Sequence, residues 1–352
     1  MTISYRVLCL LILGTFLSYA QQDSSQGSIW GSVIVDYFYK LKGDTTRSGS
    51  TIQYSTPVQQ DDQAFQIRRL FLGYNYSFSK NIHGEIVFES NDKSLDASGR
   101  YTTFLKRAFL EWKDIFSGSD LSFGLIPTPT WLWSLSDKAW GYRSLEKTIC
   151  DQRGLGSGSD LGIALRGTFD QDRQLTYVAM IGNGSGPKPE DNRYKKFYGS
   201  MNAAPSKEVS LELYADYESG SNSRSILTTK GIASLQLSHH ILGLELVQQR
   251  RKKQEVNGSD RLITGLSCFA RIRIKIVENL TGIVRYDRFN PDSNELKGYT
   301  EHFFLIGLDY QPIQSIHIMP NVWSNAFTMK EPGTIEKQPD VVARLTLYFS
   351  SK

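Results

Sequence analysis

The chain has 352 residues, of which 40% are hydrophobic and 22% charged, and its formal net charge is only +4. This composition excludes a collagen-like chain, a disordered tail and a disulfide-stapled mini-protein. The near balance of 40 basic and 36 acidic residues also argues against a surface built for nucleic acid. Aromatic side chains make up 12% of the chain, which favours β-structure or a membrane interface.

The first twenty residues have the layout of a secretory signal peptide. Arg6 precedes an apolar run over residues 7–17, and Ser18-Tyr19-Ala20 supplies small residues at the −3 and −1 positions before Gln21. A membrane anchor or a buried N-terminal helix is the alternative. We therefore expect residues 1–20 to be a signal peptide and residues 21–352 to form a single domain.

The remainder of the chain alternates apolar and polar residues with a period of two. Between Val209 and Glu218, for example, the odd-numbered positions are apolar or aromatic and the even-numbered positions are mostly polar. This period indicates strands with one dry face and one wet face, and helical patterns are nearly absent outside residues 134–147. The predicted strands, about sixteen in number, cover residues 28–41, 63–78, 82–91, 101–115, 120–127, 159–169, 174–183, 195–203, 208–218, 228–238, 240–252, 261–276, 280–289, 302–311, 314–323 and 340–350.

The connections between these strands are alternately short and long. Short turns at one rim and long loops at the other are typical of outer-membrane barrels. A soluble β-sandwich would explain the residue alternation but not this alternation of connections. The sequence therefore predicts an all-β fold: a transmembrane antiparallel β-barrel of about 16 strands, with the long loop 128–158 folded into the lumen.

Four segments, taken in order, resemble the phosphate-selective porin O and P family of Gram-negative outer membranes. They are Phe65–Tyr74, with its paired arginines; Leu105–Trp112 followed by Phe123–Pro129; Leu161–Phe169 with Ile181–Gly186; and Val284–Asp292. The resemblance implies a sixteen-stranded, usually trimeric barrel with an inward loop. The chain departs from the family in lacking a dense lysine run in that loop and in continuing for three residues beyond Phe349.

The resemblance and the alternation together lead us to expect a porin of the cell outer membrane. Such a channel would let small hydrophilic solutes or anions diffuse passively, with outer-membrane lipid around it and a homotrimeric assembly. Two alternatives stay open: a structural or adhesive surface barrel with a plugged lumen, and a secreted β-rich binding protein.

Charged residues at inward positions form the predicted pore lining. The period of two assigns to it the cations Arg69, Arg107, Arg166, Arg271, Arg273, Lys275, Arg285 and Arg344, together with acids that include Glu111 and Asp287. In loop 128–158 we expect a constriction whose cations are Lys138, Arg143, Lys147 and Arg153. These four face three acids, Asp137, Glu146 and Asp151, so the surplus of one predicts only a weak anion preference.

Two further features concern assembly and the outer rim. In the last strand, Phe349 continues the lipid-facing set and Tyr348 the opposite set, so we expect this pair to act as the assembly signal. The basic run Arg250–Lys253 either meets the phosphates of surface lipid or is a solvated face.

The sequence predicts no catalytic residues, no metal site, no cofactor and no nucleic-acid partner. The five histidines have no metal-ligand spacing, and no serine lies in a recognisable nucleophile context. Cys150 and Cys268 could pair in an oxidising compartment, although nothing in the sequence requires it.

Overall fold

The chain forms one closed β-barrel in the computed structural model, which describes residues 26–43, 59–253, 259–295, 298–331 and 339–351. Sixteen antiparallel strands each pair with their sequence neighbours, and the last strand pairs with the first. The prediction of an all-β barrel of about sixteen strands is therefore confirmed. The predicted signal peptide lies outside the described residues.

The strands differ considerably in length. They are β1 (Gln26–Lys42), β2 (Gln63–Ser77), β3 (Ile82–Asn91), β4 (Phe104–Phe116), β5 (Ser119–Pro127), β6 (Ser159–Thr168), β7 (Leu175–Gly182), β8 (Lys196–Ala203), β9 (Val209–Ser219), β10 (Ser225–Leu237), β11 (His240–Lys252), β12 (Arg261–Ile274), β13 (Leu280–Asn290), β14 (Tyr299–Ile313), β15 (Ile316–Met329) and β16 (Asp340–Ser351). The connections alternate between short turns, such as residues 117–118, and longer segments, such as residues 128–158.

The two faces of the wall follow the period of two. On β12, Phe269 points inward and is 6% exposed, whereas Ile272 points outward and is 46% exposed. Large apolar side chains such as Leu213 and Ile306 cover the outer face, while ion-paired side chains occupy the inner face. No helix among the described residues is both long and apolar enough to cross a membrane.

Two β-bulges interrupt the period of two on neighbouring parts of the wall. Between β1 and β2, Ile34 pairs with Arg69 but Val35 pairs with Ile67, so Arg68 is left over. Between β3 and β4, the register shift likewise leaves Lys106 without an opposite residue. A bulge inserts one extra residue and redirects its side chain, and here two adjacent basic residues on each strand reach the interior.

Segment 128–158 contains two short helices, α1 (Leu135–Trp140) and α2 (Ile149–Gln152). The candidate helical stretch 134–147 is helical only over α1, because Gly141 adopts the left-handed conformation (φ 67°) and ends that helix. A Cβ at Gly141 would also lie 2.2 Å from Arg271 Nη1, so a larger residue here would displace the end of that side chain. The turn is therefore fixed by conformation and by packing together.

Aromatic side chains of this segment pack against the inner wall. Trp140 is fully buried and stacks edge-on against Phe269 of β12, with ring centroids 5.4 Å apart. Tyr142 and Leu145 belong to the same apolar cluster, which includes Phe303 of β14. Burying these side chains stabilises one position of the segment against the wall, at roughly 1.5–3 kcal/mol for each large apolar group.

Candidate functional site: the charged interior of the barrel

Ion pairs line the wall around β3 to β6. Arg107 binds Glu85 through two hydrogen bonds, of 2.9 and 3.0 Å. Arg166 lies 2.6 Å from Glu111, and Arg69 Nε lies 3.3 Å from a carboxylate oxygen of the β3 residue Glu89. Three predicted lining cations thus lie on the inner face, each paired with an acid that the period of two also assigns to the interior.

Arg285 and Arg344, also predicted lining residues, hold the inward segment. Arg285 binds Asp287 on its own strand (2.5 and 2.8 Å) and donates to the Lys147 carbonyl at 2.6 Å. Arg344 donates to the Leu145 carbonyl at 3.0 Å. Both arginines are at most 5% exposed. Both guanidinium groups therefore bind mainly backbone carbonyls of the segment and acids of the wall.

The three basic residues predicted near the end of β12 occupy different environments. Arg271 donates to the Ala139 carbonyl at 3.1 Å and so contacts α1. Arg273 lies nearer the turn and donates to Asn279 at 3.0 Å. Lys275 does not lie on the wall, because β12 ends at Ile274 and this lysine is an exposed turn residue. Its assignment to the pore lining was wrong.

The predicted constriction cations are mostly paired. Arg143 bridges Asp137 (3.0 Å) and Asp151, and Lys147 lies 3.6 Å from Asp151. Burial alone would raise the pKa of Asp151, but the charges of Arg143 and Lys147 outweigh it and hold that pKa below its ordinary value. These side chains therefore form a cluster of ion pairs within the segment.

The other two constriction residues lie at opposite extremes of exposure. Arg153 is 9% exposed at its side chain and lies 3.0 Å from Glu301 on β14. Lys138 is exposed and lines a cavity of about 380 Å³ near the short-turn rim, together with Trp133 and Arg166. Lys138 is thus the predicted constriction cation that is most available to a solute.

A buried polar cluster fixes the start of α1 to the wall. Glu212 of β9 accepts hydrogen bonds from the Ser134 hydroxyl (3.0 Å) and the Leu135 amide (2.6 Å). Lys230 of β10 lies 2.7 Å from Glu212 and donates to the hydroxyls of Ser134 and Ser136. Both charged side chains are fully buried. Sequence reasoning missed Lys230, whose only signal was an inward position on β10.

The two bulge residues were also missed. Arg68 Nε lies 3.0 Å from Asp36, and its guanidinium donates to the carbonyls of Ser144 and Leu145. Lys106 lies 3.0 Å from Glu89. The signal in the sequence was each doublet of basic residues, but a strict period of two assigns only one residue of a doublet to the interior.

A second cavity, of about 140 Å³, lies near the long-loop rim. It is lined mainly by cations, with two acids among them: Arg68, Arg69, Lys93, Arg143, Lys147 and Arg344, with Asp92 and Glu146. Next to this cluster, Trp131 has Lys106, Arg107 and Arg143 within 4.9–5.1 Å of its rings. Cations over an aromatic face are attracted by its quadrupole, so Trp131 stabilises these three cations close to one another.

Cys150 and Cys268 are free thiols. Cys150 is buried in α2, packed against Val247 and Phe289, and burial raises the pKa of its thiol. Cys268 alternates with the inward residues Ser267 and Phe269, so it lies on the outer face of β12. The barrel wall separates the two sulfurs, and a disulfide would require one strand to turn over.

The predicted assembly residues occupy the two faces of β16. Phe349 points outward and is 46% exposed, and it pairs with Val33 of β1. Tyr348 points inward, with its ring 5.2 Å from that of His317. No group of three or more His, Cys, Asp or Glu residues in the described ranges is arranged to hold a metal ion.

Solved structures of outer-membrane proteins share this fold. An anion-selective porin from Comamonas acidovorans is 10% identical, with 93% of this chain and 100% of that chain covered at a TM-score of 0.63. The outer membrane channel DcaP of Acinetobacter baumannii is 12% identical, with 95% and 99% covered at 0.64. For Salmonella typhi OmpF the values are 10% identity, 94% and 99% coverage, and 0.61.

No protein-family model matches the chain, and no curated protein matches its sequence. At these identities the likeness concerns the fold alone: a sixteen-stranded barrel of the kind that outer-membrane porins adopt.

Proposed function

We propose that this protein is a porin of the cell outer membrane, through which small hydrophilic solutes diffuse passively. The observation that carries the proposal is the two-faced closed wall. Apolar side chains such as Leu213, Leu246 and Ile306 cover its outside, and charged side chains line its inside. Lipid-facing charges cost about 2–4 kcal/mol at the bilayer midplane, whereas charges facing a water-filled lumen stay hydrated.

Segment 128–158 is the proposed constriction. It contacts inward-facing side chains on strands from β2 to β16, including Arg68, Glu212 and Arg344. A segment held by both sides of a closed wall would narrow any passage between the two rims. Its cations exceed its acids by one, which supports a weak preference for anions.

The proposal also covers the oligomeric state, the family relationship and the absence of enzymatic activity. A homotrimer is supported by the solved trimer form of the Vibrio cholerae outer membrane protein OmpT, 10% identical to this chain. A specific relationship to the phosphate-selective porin O and P family is supported by the four colinear segments. We further propose that the protein is not an enzyme. The Ser77 hydroxyl is hydrogen-bonded to His83 Nδ1, but the other ring nitrogen faces the Lys80 carbonyl and not the carboxylate that a Ser–His–Asp arrangement requires.

The packing of Trp140 and Leu145 against the wall favours one rival, a structural barrel whose lumen is plugged. Single-channel recording in planar bilayers separates the two proposals. Stable stepwise conductance in potassium chloride is expected of the porin, with a reversal potential in a salt gradient that indicates a slight excess of anion flux. A folded barrel that gives no conductance steps would refute the porin and support the plug.

A further inference from the structure

An apolar groove runs down the outer face of the wall from β7 to β12. The part nearer the long-loop rim is open and has a volume of about 920 Å³. The part nearer the short-turn rim adds about 440 Å³. The floor consists of the small outward residues Ala179, Gly199, Ala215, Gly231 and Ala233, and larger side chains such as Met201, Leu213 and Leu246 form its sides.

The glycines leave real space on this face. A Cβ added at Gly199 would meet no atom within 4 Å, and one added at Gly231 would first meet Leu213 at 3.7 Å. Neither position carries the close contact that makes other strand glycines necessary, such as Gly243, where a Cβ would lie 2.1 Å from Phe269. The groove is therefore a depression in which larger side chains at Gly199 and Gly231 would have room.

Basic residues stand directly above the groove on the same face. On β11, Leu246 and Gln248 line the groove, and the next outward positions are Arg250 and Lys252. The rise of about 3.3 Å per residue places Arg250 about 7 Å above Gln248. Arg250 is 55% exposed at its side chain and shares its charge with Asp260 at 2.9 Å.

The charge balance at this rim is positive. Lys252 and Lys253 are also exposed, so among the described residues at this end of β11 three exposed cations lie near one acid, Asp260. An arginine paired with one carboxylate keeps further N–H donors for a second anion. The polar Gln248 lies between the cations and the apolar floor, where it can donate to an ester or sugar oxygen.

We infer that this face binds one phosphorylated glycolipid of the outer leaflet. Its phosphate would lie on Arg250 and Lys252, and an acyl chain would fill the groove over Gly199 and Gly231. The inference rests on the proposed function, since it takes the long-loop rim to be the rim at the outer leaflet. Phosphate and guanidinium form strong charge-assisted hydrogen bonds, and an acyl chain that fills the depression gains van der Waals contacts, which drive the packing of apolar groups inside a membrane.

The test uses the full chain refolded in a neutral detergent, with bis-phosphorylated lipid A as the probe and native mass spectrometry as the readout. Wild type is expected to retain one lipid A and to retain the dephosphorylated form more weakly. The pair Arg250→Gln and Lys252→Gln should weaken lipid A binding about 25-fold, since each basic residue at an anionic lipid surface contributes about fivefold. The exposed pair Arg100→Gln and Lys188→Gln, on other long loops, is the charge-matched control and should bind as wild type.

A second variant fills the groove without touching the rim. Gly199→Leu with Gly231→Leu should weaken lipid A and its dephosphorylated form equally, because both forms share the acyl chains. Heat-modifiable migration on gels confirms that each variant has folded. Unchanged lipid A binding in either double variant would overturn the inference.

Two other results would also overturn it. Displacement of lipid A by an equal concentration of inorganic phosphate would indicate a free-anion site. Conversion of the glycine variant to a monomer with unchanged lipid binding would assign the groove to a second copy of the chain. Conductance is measured on the same samples: normal conductance without lipid retention overturns only this inference, whereas retention without conductance overturns only the proposed channel.

Discussion

Replacing Lys230 with Met should release segment 128–158 from the wall. Lys230 Nζ lies 2.7 Å from Glu212 and 2.6 Å from the Ser134 hydroxyl, at a site without solvent exposure. Removing one partner of a buried pair costs about 3–5 kcal/mol, because the remaining charge loses its compensation. Glu212 can regain water if the start of α1 moves away, so the detached form of the segment should gain roughly 10²- to 10⁴-fold in population.

Limited proteolysis of the folded barrel measures this change, and single-channel recording measures its effect on the passage. We expect faster cleavage within residues 128–158 and a larger, noisier conductance. Lys40→Met is the matched control, because Lys40 forms an equally buried pair with Asp340 (2.6 Å) that joins the wall strands β1 and β16. If Lys230→Met showed wild-type cleavage and conductance while both variants lost thermal stability equally, the pair would stabilise only the wall and the reasoning would be refuted.

Three further predictions concern assembly, selectivity and the thiols. Phe349→Ala should lower the yield of heat-modifiable barrel in outer membranes. The control Phe78→Ala, which changes an aromatic of similar exposure in the turn between β2 and β3, should lower it less; equal yields would contradict the assembly role. Arg143→Gln with Arg153→Gln should abolish the weak anion preference in reversal-potential measurements, since it leaves the partner acids uncompensated; an unchanged potential would exclude the segment as the selectivity filter. Cys150 should resist maleimide until the barrel is denatured, and rapid labelling in the folded state would contradict its burial.

The strands could be predicted because a barrel of this kind exposes one face of every strand to an apolar surrounding. That requirement imprints a period of two on most of the wall, and Leu211, Leu213 and Tyr217 on β9 illustrate it. The short and long connections were readable for the same reason, since each interrupts the period with turn residues. The all-β class and the number of strands, about sixteen, therefore followed from local pattern.

The interior could be predicted only in part. Arg69 and Arg107 obey the period, but Arg68 and Lys106 reach the interior through bulges, which are visible only in the backbone register. Contacts such as that of Arg344 with the Leu145 carbonyl join residues 199 positions apart, and no local pattern encodes such a pair. The sequence places these arginines on the inner face of the wall. Only the packed structure shows that several of them bind segment 128–158 inside the barrel.

The pairing of β1 with β16 has a kinetic consequence. Val33 meets Phe349 across more than 300 positions of chain, so closure of the wall must wait for the last strand. Non-local pairing of this kind is slow, because the entropy of bringing distant segments together is lost before any contact compensates for it. Until then β1 and β15 each present a row of unpaired amides and carbonyls, which is a template for aggregation. A barrel that has not yet closed is therefore prone to aggregate with other copies. A register shift of one residue between β1 and β16 would turn Phe349 from the outer face to the inner face.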